Sequence, residues 1–249
     1  MPFVVNNGVR IHYETEGSGP PLVLHHGFAG CGEDWRDFGL AAPLACHNRL
    51  IILDARGCGE SDKPRDPAAY DLVTRTRDIC AVLDDLGIDK AHYYGHSYGG
   101  ALAWGLARYV PERIASLIIS GSHPYAVSQQ GFRDFLGQGI EAFLAACDRI
   151  YGPYMTPERR ARLAANDASV LMTASLDRPD HADLLPTMRM PCLLLIGELD
   201  PYCPDVRKAA GSMPNAELVV LPDCEHVANF GRTGLILPAV TSFLARVAE

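Results

Sequence analysis

His92-Tyr93-Tyr94-Gly95-His96-Ser97-Tyr98-Gly99-Gly100-Ala101 carries the strongest structural signal in the chain. It begins as a short strand-like run and passes through Gly-His-Ser-Tyr-Gly into a helical pattern from Tyr98 to Val110, stopped by Pro111. A strand that reverses into a helix this quickly needs a tight turn, with its central serine in a strained backbone conformation. Side chains at positions 95 and 99 would collide with neighbouring backbone, so both want glycine, and Gly100 permits further close packing. The turn lifts the Ser97 hydroxyl clear of the sheet and sets it at a helix N-terminus, which favours developing negative charge. Alone, G-x-S-x-G is only moderately specific, because Ser, Gly and aromatic residues also build ordinary turns.

The segments on either side supply the context. Phe3-Val4-Val5 and Val9 to Tyr13 flank Asn6-Asn7-Gly8 and read as a hairpin. Short apolar runs follow at Leu22–Leu24, Leu50–Leu53, Leu117–Ile119, Leu193–Ile196 and Leu218–Leu221. They are continuous rather than alternating, as in strands covered on both faces of a parallel sheet. Between them lie helical patterns: Leu72, Thr76, Ile79, Leu83 and Leu86 share one face ahead of Gly87, and Thr233 to Val247 is the last helix. Repeated β-α-β units predict a doubly wound α/β sheet with right-handed crossovers. One interval breaks the rhythm: from Gly121 to Pro191 there is no strand signal. Residues 128–150 look helical, loosened by Gly131, Gly137 and Gly139, and Thr156-Pro157-Glu158 reads as the cap of another helix reaching about Ser175. A helical insertion there predicts a cap over the sheet's C-terminal edge, where such sheets bind ligands.

A serine hydroxyl is a poor nucleophile and needs a base, which needs an orienting acid. The chain order Ser, acid, His is available. Asp200 follows the run Leu193–Ile196, and His226 follows Leu218–Leu221, so all three candidates sit after strand C-termini on one edge. Asp200 alone reads equally as a turn residue and His226 as a hydrogen-bonded loop histidine; their joint order and context favour catalysis. Glu198 and Asp223 are alternative acids. An oxyanion hole would take its backbone N–H groups from Tyr98 and from Phe28, in the loop His25-His26-Gly27-Phe28. Trp35, His123, Tyr125 and Phe135 are candidate substrate-pocket residues, with Trp104, Phe132, Phe143 and Tyr151 as further aromatics; ordinary core packing competes for each.

Other chemistries find little support. Paired His25 and His26 lack any zinc-binding spacing, so no metal is expected. Gly57-Cys58-Gly59-Glu60-Ser61-Asp62 begins like a dinucleotide loop but ends on Asp62, and the run Gly95–Gly100 has Ala101 where a phosphate loop has lysine. The 249 residues carry a net charge of −8, which disfavours nucleic acid and anionic membranes as partners. The apolar runs are too short to span a bilayer, and no signal peptide is visible. The eight cysteines show no C-x-x-C pair and read as free thiols of a cytoplasmic protein.

The set His26-Gly27-Phe28, Asp54-Ala55-Arg56-Gly57-Cys58-Gly59-Glu60-Ser61-Asp62, Gly95 to Gly100, Gly197-Glu198-Leu199-Asp200 and His226 resembles the α/β-hydrolase superfamily over nearly the whole chain. The resemblance implies an α/β-hydrolase fold for residues 1–249, with an eight-stranded, mostly parallel sheet and a short helical cap at 122–190, inserted after the sixth strand. It also implies a Ser97–His226–Asp200 triad and a structural role for the Asp54–Asp62 turn. The chain looks most like the small cap-bearing esterase and lactonase branch, which also holds perhydrolases, carbon–carbon hydrolases and hormone receptors. Ser97, where the dehalogenase and epoxide-hydrolase branches carry aspartate, counts against those two.

The expectation is a cofactor-independent serine hydrolase, monomeric or a small homo-oligomer, acting on a small-molecule carboxylic ester or lactone through an acyl-enzyme. Acyl-homoserine-lactone or enol-lactone opening, perhydrolysis and carbon–carbon cleavage remain compatible. A hydrolase-fold receptor with little turnover is the alternative from another class.

Overall fold

A computed structural model of the chain describes residues 2–151 and 156–247. Eight strands form one sheet: β1 (Phe3–Asn6), β2 (Val9–Glu16), β3 (Pro21–His25), β4 (Arg49–Leu53), β5 (Ala91–His96), β6 (Ile114–Ser120), β7 (Cys192–Gly197) and β8 (Ala216–Leu221). Their order is β1-β2-β4-β3-β5-β6-β7-β8. The hairpin β1–β2 joins the sheet antiparallel, through β2 on β4, and every other pairing is parallel. The helices are α1 (Asp34–Asp37), α2 (Ala41–Ala45), α3 (Leu72–Asp85), α4 (Tyr98–Tyr109), α5 (Gln130–Leu136), α6 (Ile140–Tyr151), α7 (Pro157–Ala164), α8 (Ala168–Ala174), α9 (Cys203–Ala210), α10 (Ala228–Gly231) and α11 (Thr233–Val247).

The continuous apolar runs become two cores because alternate strand residues point to opposite faces. Val23, Ile51, Tyr93, Leu117 and Leu194 pack with Ile79, Leu83, Trp104 and Val206 on the α3, α4 and α9 side. Leu24, Ile52, Tyr94, Ile118 and Leu195 pack with Trp35, Leu44, Val240 and Phe243 on the α1, α2 and α11 side. Each such Leu or Ile, fully buried, contributes about 1.5–3 kcal/mol of transfer free energy. The edge strand β8 is only partly buried until Leu221, because no strand among the described residues pairs with its far side.

Between β6 and β7 the chain forms a helical insert, α5 to α8. The run expected as one helix over 128–150 is two, broken at Gly137–Gly139, where Gly139 takes φ +107°. The helix expected to reach Ser175 also splits. Thr156 caps α7 through the Arg159 N–H at 3.2 Å, but Asp167 then caps a new helix through the Ser169 and Val170 N–H groups. A side chain that satisfies free helical N–H groups stabilises a fresh start over continuation. The short helices α1, α2, α9 and α10 were not foreseen. With four to eight residues each, they carry little apolar periodicity to read.

The Asp54–Asp62 turn is a structural knot. Asp54 accepts N–H groups from Gly32 (2.7 Å) and Glu60 (2.9 Å) and lies 3.0 Å from His12 Nδ1. Arg56 is buried against Asp78 at 2.6 Å, tying the turn to α3. All eight cysteines are free thiols. No helix among the described residues is long and apolar enough to cross a membrane.

Candidate active site

Ser97 stands between β5 and α4 with φ +52° and ψ −102°, a conformation L residues rarely adopt. The flanking glycines make the turn possible. A Cβ on Gly95 would lie 2.3 Å from the Gly99 carbonyl oxygen, and one on Gly99 would lie 2.3 Å from that of His25. The Ser97 N–H donates to the Ser120 carbonyl at 2.7 Å, anchoring the turn to β6.

The loops after β7 and β8 bring the other two candidates to the same edge. His226 Nε2 is 2.8 Å from Ser97 Oγ, and His226 Nδ1 is 2.7 Å from Asp200 Oδ2. With Nδ1–H donating to Asp200, Nε2 accepts the Ser97 hydroxyl proton. Asp200 is 2% exposed, and its other oxygen accepts the Tyr202 N–H at 2.8 Å. The alternative acids are exposed; Glu198 meets the Asp223 N–H at 3.5 Å. Gly121 (φ +63°) leaves room for the imidazole, since a Cβ there would lie 3.0 Å from His226 Cε1. His96 packs 5.5 Å from the His226 ring, and burial holds its own pKa well below the usual histidine value, so it is neutral.

The loop after β3 closes the site on the opposite side. His26 is fully buried; its Nδ1–H donates to the Gly27 carbonyl (2.7 Å) and its Nε2 accepts the Ala55 N–H (3.0 Å). Its carbonyl accepts the Gly99 N–H at 3.2 Å, which locks the loop onto the first turn of α4. A Cβ on Gly27 would lie 3.7 Å from Ser97 Cβ. Among the described residues neither the Phe28 nor the Tyr98 N–H has a hydrogen-bond acceptor. Two free N–H groups beside a serine that is hydrogen-bonded to a histidine suit a developing oxyanion. No group of three or more His, Cys, Asp or Glu side chains among the described residues is placed to hold a metal ion.

A family model described as the α/β hydrolase fold matches residues 20–146, from the start of β3 through Ser97 and into α6. The chain belongs to the α/β hydrolase fold family. An N-acyl homoserine lactone degrading enzyme is 28% identical, with TM-score 0.80 over 97% of this chain and 100% of its own. The enol-lactonase from Burkholderia xenovorans LB400 is 25% identical, with TM-score 0.87 over 98% of this chain and 100% of its own. A putative 2-succinyl-6-hydroxy-2,4-cyclohexadiene-1-carboxylate synthase of Bacillus subtilis (strain 168) is 26% identical over 98% of both chains.

The hydrolase cavity at Ser97 has a volume of about 70 Å³. Its walls are Phe28, Phe132, Phe143, Leu144, Leu163 and Phe230, joined by Arg159, which is paired with buried Asp34 at 3.2 Å. Of the four expected pocket residues, none lines this cavity. Trp35 is fully buried in the core against Tyr94 (4.7 Å) and Phe230 (4.5 Å), packed with Leu24, Ile52 and Leu195 of the sheet. Phe135 packs at the edge of the cluster formed by Leu136, Phe143 and Leu171. His123 and Tyr125 line a separate cavity; the Tyr202 ring contacts both His123 (4.7 Å) and His226 (5.7 Å) and stands between them. The Tyr151 side chain lies outside the described residues. Sequence reasoning missed Leu144, Arg159, Leu163, Tyr202 and Phe230. Only Phe230 carried a signal, four residues beyond His226 in an apolar-flanked loop.

Proposed function

We propose that this hydrolase cleaves carboxylic ester or lactone bonds of small molecules through an acyl-enzyme on Ser97. The carrying observation is the chain of two short hydrogen bonds, Ser97–His226 at 2.8 Å and His226–Asp200 at 2.7 Å, at the floor of an apolar cavity. Ser97 Oγ attacks the carbonyl carbon as its proton passes to His226 Nε2. Asp200 holds the tautomer and stabilises the imidazolium. The Phe28 and Tyr98 N–H groups take the oxyanion. The alcohol leaves with the proton from His226, and water activated by the same imidazole then releases the acid. In a lactone the leaving alcohol stays tethered, so the same steps open the ring. The two lactone-degrading relatives support including that substrate class.

The insert between β6 and β7 serves here as a cap that supplies the cavity's outer wall through Phe132, Phe143, Leu144 and Leu163. The small cavity volume of about 70 Å³ favours short acyl groups. The test is turnover of p-nitrophenyl acetate, butyrate and octanoate beside a γ-lactone and an N-acyl homoserine lactone. Acetate and butyrate should exceed octanoate, and Ser97→Ala should lose on the order of 10³-fold or more. Equal turnover by Ser97→Ala, or stoichiometric cleavage without multiple turnover, would contradict the proposal.

A further inference from the structure

The cavity lined by His123 and Tyr125 lies behind Phe28 and Tyr98, enclosed by α3, α4 and the segment 123–129 and 175–181. Gln129 and Ser175 line it too, but its unpartnered buried polar atoms are nearly all donors. Five of the ten buried side-chain polar atoms without a hydrogen-bond partner among the described residues belong to it: Arg75 Nε, Tyr98 Oη, Trp104 Nε1, Arg178 Nη1 and His181 Nε2. Arginine and indole nitrogens only donate. His181 Nδ1 lies 2.9 Å from Arg108 Nε and accepts its hydrogen, which leaves Nε2 carrying the proton as a fourth obligate donor. Burial and the Arg108 charge both hold the His181 pKa below its ordinary value, in keeping with that neutral tautomer. Tyr98 Oη can donate or accept.

The cavity lining itself carries only positive charge, although Asp71 and Asp78 on the α3 side lie within electrostatic reach of Arg75. No carboxylate among the described residues lines the cavity. Neither Arg75 nor Arg178 has an ion-pair partner within 4 Å among the described residues; Arg75 lies over the Tyr98 ring at 4.8 Å. The neighbouring acids have other partners: Asp71 caps α3 through Thr74, Asp78 holds Arg56, Asp177 pairs with Arg133, Asp183 pairs with Arg108, Asp180 accepts the Ala126 and Ala182 N–H groups, and Asp205 lies 3.9 Å from His123 Nε2. Buried donors left unmade destabilise the fold, the charged ones most. The free volume of about 20 Å³ is enough for one water-sized body. A single water accepts only two hydrogen bonds and offsets no charge, so it leaves obligate donors unmet. A monatomic anion can accept from several donors at once and offset the guanidinium charge.

We propose that this cavity is a binding site for one small monovalent anion of the halide class, held by Arg75, Arg178, Trp104 and His181 behind the Tyr98 ring. The proposal stands independently of the reaction at Ser97. An anion that binds only the folded chain raises its melting temperature in a saturable way. The experiment compares melting of the full chain in sodium chloride and in sodium gluconate at one fixed total ionic strength. Chloride at ten times its half-saturating concentration should raise the melting temperature by roughly 3–6 °C. Arg75→Gln should abolish the chloride dependence; if that variant fails to fold, Trp104→Phe should shift half-saturation to higher chloride. Crystals of the unmodified chain grown in sodium bromide should show an anomalous peak in the cavity bonded to Trp104 Nε1. Equal melting in both salts, an unchanged chloride effect in Arg75→Gln, or an ordered water at that position in the bromide crystal would overturn the site.

Discussion

Gly197→Ala tests how tightly the reacting side chains are held by backbone that never touches substrate. Gly197 ends β7, paired with Leu221 of β8. A Cβ there would lie 2.1 Å from the Cys224 carbonyl oxygen, 2.7 Å from its carbon and 3.1 Å from the Glu225 oxygen. Ordinary contact begins at 3.4 Å, so relief requires a separation of about 3.4 − 2.1 = 1.3 Å. The atoms that must move are backbone, and no rotamer change absorbs the clash. The Cys224 carbonyl also accepts the Leu199 N–H at 3.0 Å, so it couples the loop before Asp200 to the loop before His226. The hydrogen bonds at stake measure 2.7 and 2.8 Å, and a hydrogen bond stretched by about 1 Å is no longer one. Misplacing catalytic groups by about 1 Å costs on the order of 10²-fold in rate. The clash itself destabilises the fold by about 1–3 kcal/mol. The assay is kcat/KM on p-nitrophenyl acetate, beside urea unfolding to confirm that the variant is folded. A folded Gly197→Ala variant within about threefold of the parent would show that this backbone does not hold the triad in place, since that is under 1 kcal/mol of transition-state stabilisation.

Three further outcomes follow from other parts of the molecule. Glycine tolerates φ +52° where alanine is strained, so Ser97→Gly should be about 1 kcal/mol more stable to urea than Ser97→Ala while both are inactive; equal stability would remove backbone strain from the account. Asp78→Ala leaves the buried Arg56 guanidinium without its partner and should cost about 3–5 kcal/mol, read as a lower urea midpoint; a loss under about 1 kcal/mol would contradict the buried pairing. Burial pushes the His25 pKa down to about 3 from an ordinary 6.5 and lowers that of His96 as well. Below pH 6.5 the unfolded chain takes up protons that the folded chain refuses, so stability falls as pH drops from about 6.5 towards 3 and is unaffected by these groups above that window. Each histidine contributes at most about 1.4 kcal/mol per pH unit, and a urea midpoint unchanged between pH 7 and pH 5 would contradict this.

The sheet was legible because its signals are local. Runs such as Leu193–Ile196 are apolar on both faces, and the two cores on either side of the sheet are the physical reason. Ser97, Asp200 and His226 were legible as candidates because each follows a strand, and strand ends in a parallel sheet share one edge. The walls of the cavity were not. Leu163 and Arg159 reach Ser97 through the packing of α7 on α1, by way of Asp34, a contact between residues 125 positions apart. Trp35 and Phe230 are both large and aromatic, yet Trp35 fills the core beneath the cavity and Phe230 lines it. Hydropathy cannot separate those two roles. His123 follows β6 closely enough to suggest the site, but the intervening Tyr202 ring was invisible without the turn of the Asp200 loop.

The most direct measurement is peptide mass spectrometry after brief treatment with a fluorophosphonate, which phosphonylates a serine activated by a neighbouring imidazole. One adduct is expected, on the peptide carrying Ser97, lost in His226→Ala although the serine is still present. An unlabelled Ser97, a label on another residue, or undiminished labelling in His226→Ala would contradict that expectation.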